Sequence, residues 1–259
     1  MSLKNFWENK IRLGEIMILK KNKDNKLYLQ VKEFKVDDDF EHLFSTRIGW
    51  DQNDLSGDLA DILEVDKSKI YTVKQVHGIE VEIIKDQHAE NTSTKEKDGL
   101  ITNLNDIVLT SYHADCVPLY FYDRVKKVIG IAHSGWKGSL NNISKEMIEA
   151  FKQEFSSDTD DIVVAIGPSI GSCCYEIQED VARQFREKFT DSAEIILVED
   201  DKMYLDLWKI NKSNLLNSGI SQENIMESDF CTSCNIDYLY SYRRENTKDR
   251  MIGAIKLSL

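Results

Sequence analysis

Three short segments of the chain place histidine or cysteine where a predicted strand meets a turn. His77 lies in Lys-Gln-Val-His-Gly, Cys116 follows Tyr-His-Ala-Asp, and His133 opens a glycine-flanked turn that leads into a predicted helix. Strand ends often carry functional side chains, because a rigid scaffold holds the side chain while the loop leaves it accessible. Imidazole nitrogen and thiolate sulfur are both good zinc ligands, and three protein ligands leave a fourth position for water or substrate. These residue types therefore indicate a candidate catalytic metal site.

The spacing of the three residues leaves other interpretations open, since no compact metal-binding motif contains them. A bound metal would keep Cys116 as thiolate and lower the pKa of a bound water toward neutrality. Without a metal, Cys116 and His133 would form a nucleophile and base pair, as in cysteine hydrolases. A single histidine at a strand end is also often a hydrogen-bonded structural residue.

The other four cysteines are paired along the sequence. Cys173 and Cys174 are adjacent, and Cys231 and Cys234 have the spacing Cys-x-x-Cys. A structural zinc site needs four ligands, and the chain has no second Cys-x-x-Cys, so we expect these side chains to be semi-buried free thiols, with a structural zinc site on the Cys-x-x-Cys pair the less favoured alternative. The odd total of five cysteines, and the lack of a signal-peptide pattern in residues 1–10, predict a reducing, cytoplasmic location.

Composition restricts the classes of partner. The 259 residues include 33 Lys and Arg against 45 Asp and Glu, a formal net charge of −12. Such an acidic surface repels phosphate backbones and anionic lipid, so we expect no nucleic-acid or membrane partner. The longest apolar run, residues 117–122, is far too short to span a bilayer. We expect a single soluble domain over residues 1–259, a monomer or homodimer, whose anionic ligands are held by a local group of cations.

The pattern of apolar residues predicts an α+β fold. Helical periodicity is clearest at Leu140, Ile143, Met147, Phe151 and Phe155. Further helices are predicted around residues 177–189 and 207–216, the latter ending at a glycine. The predicted strands cover residues 16–19, 27–34, 79–84, 107–112, 119–122, 128–132, 162–166 and 251–257, of which the first two form a hairpin. Helices interrupt the strands irregularly, which favours mixed sheets over a regular doubly wound array.

Several collinear blocks give the chain a family resemblance. Residues 75–78 read Gln-Val-His-Gly, residues 114–118 read Ala-Asp-Cys-Val-Pro, and residues 132–138 read Ala-His-Ser-Gly-Trp-Lys-Gly. Together they resemble the signature of the YfiH/laccase-domain family, once described as multicopper polyphenol oxidases and now understood as purine nucleoside phosphorylases. Further matching blocks follow the same order along the chain: 44–47, 98–102, 166–171, 231–232 and 241–245.

The resemblance implies a fold, a cofactor and an activity. The fold is a four-layer α/β/β/α sandwich with mixed sheets, and the zinc ligands at the matching positions are His77, Cys116 and His133. The activity is phosphorolysis of adenosine, inosine, guanosine and methylthioadenosine to free base and ribose 1-phosphate. Adenosine deamination at the same site is a side activity. The cofactor is therefore expected to be zinc, with copper the less favoured alternative, and the partners to be purine nucleosides and phosphate.

Roles for individual residues follow from the chemistry. The planar fork of an arginine matches phosphate oxygens in pairs, which makes Arg47 the first candidate for phosphate. Ser45, Lys137 and Arg243 are further substrate-binding candidates. Asp115 is expected to move protons or orient a ligand histidine, and Gln75, two residues before His77, to bond the base or water. With Cys116, the residues Asp115, Arg47 and Gln75 form the predicted catalytic set.

The chain also departs from the family pattern. Residues 48–51 read Ile-Gly-Trp-Asp where the family commonly has Gly-Gly-Val-Ser, which puts the substrate preference in question. His113 stands where a small hydroxyl residue is usual, and residues 248–250 read Lys-Asp-Arg in place of Thr-Gly-Arg. The rival functions are copper-dependent phenol oxidation, a metal-free hydrolase and a non-catalytic zinc protein. Oxidase chemistry needs several histidine-rich copper centres, whereas this chain has five histidines, of which His42 and His88 match no block.

Overall fold

Two six-stranded mixed sheets form the centre of the molecule in the computed structural model, which describes residues 17–34, 36, 38–86, 92–189 and 192–258. In spatial order, sheet 1 contains β1 (Met17–Lys21), β2 (Leu27–Val31), β3 (Phe40–Ser45), β15 (Met251–Leu257), β7 (Val108–His113) and β4 (Ile70–Tyr71). Sheet 2 contains β14 (Ile225–Glu227), β10 (Ile162–Ile166), β8 (Val117–Asp123), β9 (Val128–Ser134), β6 (Gly99–Thr102) and β5 (Val81–Ile84). A small third sheet contains β11 (Glu176–Ile177), β13 (Lys202–Leu205) and β12 (Ile196–Glu199).

Each large sheet combines antiparallel and parallel pairs. In sheet 1, β15 pairs antiparallel with both β3 and β7, while β4 pairs parallel with β7 at the edge. In sheet 2, β8 pairs antiparallel with β9 and β10, and β5 and β14 add parallel edges. The prediction of mixed sheets is confirmed.

Helices cover the outer faces of the two sheets. The helices are α1 (Leu55–Leu63), α2 (Trp136–Asn141), α3 (Ile143–Phe155), α4 (Glu179–Lys188), α5 (Ser192–Ile195), α6 (Leu207–Asn217) and α7 (Tyr242–Glu245). Short 3-10 turns occur at Lys32–Phe34, Lys67–Lys69, Thr92–Thr94, Thr159–Asp161 and Gln222–Asn224. Among the helices of the described residues, none has both the length and the apolar character needed to cross a membrane.

Three hydrophobic cores separate four layers. Leu59 of α1 packs on the outer face of sheet 1, and a second core fills the space between the sheets. The third core lies between sheet 2 and the helices, with Met147 and Phe151 of α3 at its centre. Strand β8 is buried on both faces, since Phe121 faces the helices and Tyr122 faces sheet 1. This explains its uninterrupted apolar sequence and confirms the predicted α/β/β/α sandwich.

The predicted elements differ from the structure mainly at their ends. The hairpin, the central strands and the helix ending before Gly219 are confirmed, and Gly219 adopts a φ of 98° just beyond α6. The periodic run from Leu140 to Phe155 predicts one helix, but the structure has two, because Asn142 has a φ of 64° and ends α2. The Asn142 side chain then accepts from the Lys145 N–H and caps α3. Residues 1–10, residue 16 and His88 lie outside the described residues.

Two of the candidate ligands lie in connections between the two sheets. The chain passes from β4 of sheet 1 to β5 of sheet 2 through the segment that contains His77. It passes again from β7 of sheet 1 to β8 of sheet 2 through residues 114–116. Cys116 therefore lies beside the end of β9, which pairs with β8 and carries His133.

Candidate active site

The side chains of His77, Cys116 and His133, which were selected from the sequence, lie close together beside these connections. The potential ligand atoms of His77, Cys116 and His133 all lie within 4.8 Å of one another. His77 is exposed, Cys116 is half-buried and His133 is buried, so the group is open on one side only. Two imidazoles and one thiol with one accessible side match the ligands of a catalytic zinc site, which keeps a fourth position for another molecule.

A buried carboxylate holds two of these ligands in place. Asp98 Oδ1 lies 2.8 Å from His133 Nδ1 and accepts from the His77 backbone N–H at 3.1 Å. Asp98 Oδ2 accepts from the N–H groups of Val76 at 3.2 Å and Gly78 at 2.7 Å. These bonds stabilise the left-handed backbone of His77, whose φ is 60°. Since Asp98 occupies Nδ1 of His133, it leaves Nε2 of that ring as the metal-binding nitrogen.

The electrostatics favour a thiolate at Cys116. Burial raises the pKa of the Cys116 thiol, but the neighbouring His133 and His77 outweigh burial and lower the pKa to about 6. Burial has the opposite effect on His133 and lowers its pKa, but Cys116 and Asp98 together raise the pKa of His133 more strongly. The neighbouring groups thus favour the thiolate of Cys116, which is the form of cysteine that ligates metals.

Gly135 leaves the space that a metal ion and its ligands require. A Cβ atom at this position would lie 2.9 Å from His77 Cδ2 and 3.1 Å from Cys116 Sγ. The residue precedes α2 with an extended backbone, so its conformation alone does not require glycine. The absence of a side chain at Gly135 is therefore explained by the three ligands that pack against it.

Two adjoining cavities open from the group. Their volumes are about 270 and about 520 Å³, and they share His77, Cys116 and Tyr242. Besides these and Ala114, the smaller is lined by Asp115, Trp136, Ile170, Tyr175, Leu207 and Arg243, and the larger by Gln75, Tyr112, His133 and Arg250. Aromatic rings and arginines thus surround the candidate ligands, in a space of the size that small-molecule sites have.

Comparison with known proteins identifies the family. Residues 53–258 match the family model described as multi-copper polyphenol oxidoreductase laccase. The chain belongs to this family. It is 37% identical over 215 residues to the purine nucleoside phosphorylase of Borreliella burgdorferi, covering 82% of this chain and 90% of that protein. It is 34% identical over 206 residues to the purine nucleoside phosphorylase YlmD of Bacillus subtilis, covering 76% of this chain and 74% of that protein.

Solved structures agree with this laccase-like family and its fold. The crystal structure of YlmD from Geobacillus stearothermophilus has a TM-score of 0.84 at 26% identity and covers 93% of this chain and 99% of that one. The Bacillus licheniformis protein YfiH has a TM-score of 0.82 at 28% identity with the same coverage. The resemblance read from the sequence blocks is confirmed.

Asp115 and Arg243 meet at the wall of the smaller cavity of this laccase-like site. Asp115 Oδ1 accepts from the Thr232 hydroxyl at 2.6 Å, and Oδ2 accepts from the Arg243 backbone N–H at 2.7 Å. Asp115 has a φ of 88° and is buried. The Arg243 guanidinium lies 5.0 Å from the centre of the Tyr175 ring. Asp115 therefore joins two segments of the cavity wall, in addition to preceding a candidate ligand.

Arg47 and Ser45 make their contacts away from the residues that line the two cavities. The Arg47 guanidinium donates to Glu245 at 2.9 Å and to the Ile236 carbonyl, and it lies 4.6 Å from the centre of the Tyr240 ring. The buried Ser45 hydroxyl accepts from the Ile252 N–H at 2.8 Å. Both side chains therefore form hydrogen bonds with the C-terminal part of the chain, Arg47 with Ile236 and with Glu245 of α7, and Ser45 with Ile252 of β15.

Gln75 lines a cavity of the candidate site, whereas Lys137 lines neither cavity. The Gln75 amide bonds both backbone groups of Tyr112, donating to its carbonyl at 2.9 Å and accepting from its N–H at 2.7 Å. It lines the larger cavity while holding two strand ends together. Lys137 is exposed on α2, and its ammonium lies 5.6 Å from the centre of the Trp136 ring.

His113 has both ring nitrogens engaged within the protein. Its Nδ1 donates to the Cys116 carbonyl at 3.1 Å, and its Nε2 lies 2.6 Å from the Ser111 hydroxyl. Burial, with a smaller effect from His133, lowers the pKa of His113 well below its ordinary value. This neutral ring supports the backbone of Cys116, so the residue in the family's small-hydroxyl position makes a polar contact here.

The sequence also contained site residues without an assigned role. Asp98 begins one of the matching blocks, yet its carboxylate reaches His133 and the His77 turn only after the strands pair. Arg250 belongs to the atypical stretch 248–250 and lines the larger cavity. The usable signals were the Asp-Gly pair that opens a matching block and an arginine directly before a predicted strand.

Proposed function

We propose that this protein is a zinc-dependent purine nucleoside phosphorylase. The observation that carries the proposal is that the group His77, Cys116 and His133 opens onto cavities lined by aromatic rings and arginines. A nucleoside needs flat apolar contact for its base, and phosphate needs cations. The names of relatives at 34% and 37% identity support the same activity.

The donors fit zinc better than a multicopper centre. Two groups of described residues have the ligand atoms for a metal, and only the group with His77 and His133 contains imidazole. Multicopper chemistry uses several histidine-rich centres, whereas two histidines and one thiolate with an accessible side suit catalytic zinc. When bound, the metal would supply a Lewis acid at the mouth of the cavity.

The aromatic residues supply the surface for a purine. Trp136, Tyr175 and Tyr242 line the smaller cavity beside Cys116, and Tyr242 is 55% exposed before any ligand binds. Rings of this kind bind flat bases by stacking, with contact area and quadrupole interactions as the favourable terms. We propose that they hold the base of adenosine, inosine, guanosine or methylthioadenosine.

The arginines supply the site for phosphate. Arg243 lines the smaller cavity and Arg250 the larger, and a guanidinium can donate two parallel hydrogen bonds to phosphate oxygens. Asp115 accepts from the Arg243 backbone and so acts as a positioning residue for that arginine. Lys137, beside Trp136, and Gln75, beside His77, complete the proposed binding residues.

The bond changes define what the residues have to achieve. Phosphate oxygen forms a bond to the ribose C1′ while the bond from C1′ to the base nitrogen breaks. The base leaves with the electron pair and takes up a proton, and the products are free base and ribose 1-phosphate. Positioning both reactants side by side in the adjoining cavities converts a bimolecular step into an effectively unimolecular one. Deamination of adenosine is the proposed side activity: water adds at C6 of the adenine, the bond from C6 to the amino group breaks, and the products are inosine and ammonia.

The proposed setting follows from the thiol chemistry. Cys116 has to remain reduced to bind a metal, and all five cysteines are free thiols in this structure. A reducing compartment preserves this state. We therefore place the proposed reaction in the cytoplasm, in the salvage of purine bases.

Product analysis by liquid chromatography tests the proposal. Zinc-loaded protein is incubated with adenosine, with and without phosphate, beside the Cys116→Ala variant. We expect adenine and ribose 1-phosphate only when phosphate is present, and neither with the variant. Inosine formed without phosphate would establish the side activity.

Other outcomes identify the rival functions. Adenine formed without phosphate would indicate a hydrolase, and activity that survives complete metal removal but not thiol alkylation would indicate the metal-free Cys–His pair. Oxygen-dependent oxidation of a phenol by copper-loaded protein would support the oxidase. If adenosine, inosine, guanosine and methylthioadenosine all stay intact with zinc bound, the proposed activity is wrong and a non-catalytic role follows.

A further inference from the structure

A second group of potential metal ligands is separate from His77, Cys116 and His133. The sulfur atoms of Cys173, Cys174, Cys231 and Cys234 all lie within 4.8 Å of one another. The Cys234 sulfur is 3.5 Å from the sulfurs of both Cys173 and Cys174. The adjacent pair and the Cys-x-x-Cys pair, far apart in the sequence, therefore converge on one point.

The spacing of the four sulfurs suits a single tetrahedral metal ion. Zinc bound by four thiolates has zinc–sulfur distances of about 2.3 Å, which places the sulfurs about 3.8 Å apart. The 3.5 Å separations are close to that value and far longer than a disulfide bond of about 2.05 Å. A disulfide would use two of the sulfurs and leave the convergence of the other two unexplained.

The backbone around the cysteines is arranged to hold the sulfurs. The Gly171 N–H donates to the Cys231 sulfur at 3.3 Å, a bond of the kind that tunes metal-bound thiolates. The Asn235 side chain donates to the Cys231 carbonyl at 2.8 Å and closes the turn between Cys231 and Cys234. The Thr232 N–H donates to the Ser169 carbonyl at 3.0 Å and joins the two loops.

We propose that Cys173, Cys174, Cys231 and Cys234 bind a structural zinc ion. The ion ties the loop of residues 167–175 to the turn of residues 231–235. A closed four-thiolate site has no position left for substrate, so its contribution is to stability and not to chemistry. Because Cys173 and Cys234 are exposed, the ion lies near the surface, where it can be loaded after folding.

The ion would fix a wall of the candidate active site. Tyr175, directly after Cys174, lines the smaller cavity, and Thr232, directly after Cys231, bonds Asp115. Both loops thus connect the cysteine cluster to residues that contact the cavity. This inference concerns the metal content of the protein and does not rest on the proposed function.

Metal analysis of paired variants tests the proposal. The protein is purified under reducing conditions without chelator, and zinc per chain is measured by mass spectrometry of the metal. The double variant Cys173→Ser/Cys234→Ser alters exposed side chains, so the fold is expected to survive. The variant His77→Ala is the reciprocal control at the other site.

The expected pattern is additive. The unaltered protein holds two zinc ions per chain, each variant holds one, and the combination of both variants holds none. Cobalt substituted into His77→Ala gives the strong thiolate-to-metal absorption of a four-sulfur site. The Tm of Cys173→Ser/Cys234→Ser falls relative to the unaltered protein and no longer responds to zinc at the lost site.

Three results would overturn the proposal. One zinc per chain in the unaltered protein, lost in His77→Ala, would leave the cysteines without a metal. An intact mass lower by two hydrogens under native conditions would show that two of the thiols form a disulfide. Iron in place of zinc in the protein as isolated would show that the cluster selects a different metal.

Discussion

The Asp98 carboxylate links two candidate metal ligands from different parts of the fold, His77 in the connection from β4 to β5 and His133 on β9. It accepts from His133 Nδ1 and from the backbone of the turn that carries His77. Burial raises the pKa of Asp98, but the hydrogen bonds from His133 and Gly78 outweigh burial and lower it. The ionised carboxylate therefore sets the orientation of one ligand and the backbone conformation of the other at the same time.

Replacing Asp98 by Asn is expected to weaken zinc binding by about 10- to 100-fold. The asparagine amide has only one acceptor oxygen. Its NH₂ group would therefore face backbone N–H groups that now donate hydrogen bonds to the carboxylate. Affinity is measured by competition with a chromophoric chelator in the Cys173→Ser/Cys234→Ser background, which isolates the site of His77.

Asp123→Asn is the matched control for this measurement. Asp123 is also buried and accepts two backbone N–H bonds in a turn, but at the opposite end of β8 from Cys116. We expect it to lower the free energy of unfolding without changing zinc affinity. Equal affinities for Asp98→Asn and the unaltered chain would contradict the role given to Asp98.

Residue types revealed the candidate ligands, while contacts revealed how they are held. His77, Cys116 and His133 could be selected because few side chains bind metals and because each lies in a recognisable block. The Asp98 contacts could not, since its hydrogen bonds to residues 76–78 exist only when β5 and β6 pair. Gln75 shows the same limit, because the backbone groups that its amide bonds belong to Tyr112 on β7, 37 residues along the chain.

At the scale of elements, the junction between β9 and α2 brings His133, Gly135 and Trp136 into one short segment. β9 is rigidly paired on both sides, and α2 begins directly after Gly135. Gly135 has an ordinary backbone conformation. Glycine is needed there because a side chain would collide with His77 and Cys116.

Gly135→Ala is expected to reduce zinc affinity and turnover together, by about tenfold or more, while the chain still folds. The added methyl group would approach His77 Cδ2 to 2.9 Å, which forces the imidazole or the turn to move. Zinc titration and the Tm of the zinc-free protein measure the two effects separately.

Gly138→Ala provides the comparison within the same helix. A Cβ there meets its nearest neighbours at 3.4 Å or more, an ordinary contact distance, and alanine favours helix. We expect unchanged zinc affinity from this variant. A loss of affinity as large as that of Gly135→Ala would show that α2 responds to any added methyl group, and the steric explanation would fail.

Long, periodic elements were predictable, and short or interrupted ones were not. The strands β10 and β15 match the predicted ranges, because continuous apolar runs of that length suit buried strands. Two-residue strands such as β4 and β11 carry no periodic signal. The break at Asn142 interrupts an apolar spacing that continues across it, since a single left-handed residue changes direction without changing the pattern.

At the scale of the whole molecule, the surface is acidic, so phosphate binding depends on the cationic side chains that line the cavities. A net charge of −12 repels phosphate at a distance, so its binding has to come from short-range hydrogen bonds. Arg243 and Arg250 line the cavities, whereas Arg47 is paired with Glu245. The structure therefore favours Arg243 and Arg250 over Arg47, which the sequence ranks first for phosphate.

We expect Arg243→Ala and Arg250→Ala each to raise the KM for phosphate by about 10- to 100-fold, the loss of one or more charged hydrogen bonds. Arg47→Ala is expected to change this KM little and to lower the Tm, because it removes the ion pair with Glu245 and the hydrogen bond to the Ile236 carbonyl. Steady-state kinetics with phosphate as the varied substrate measures the difference.

Arg183→Ala controls for the change in net charge. Arg183 is exposed on α4 and contacts Glu187 on the same helix, so its removal leaves both cavities intact. If Arg47→Ala raises the KM for phosphate as much as Arg250→Ala does, Arg47 contacts phosphate, and the first-ranked prediction from the sequence is correct.

The position of β15 in sheet 1 has a consequence for how the protein is made. This strand lies between β3 and β7, yet it is synthesised after every other strand of both large sheets. A growing chain therefore leaves the ribosome with the facing edges of β3 and β7 unpaired, and such edges are templates for aggregation. Translation that stops before residue 251 would leave sheet 1 in two separate pieces. We therefore expect the unfinished chain to need chaperones, which would cover the unpaired edges of β3 and β7 until β15 is synthesised.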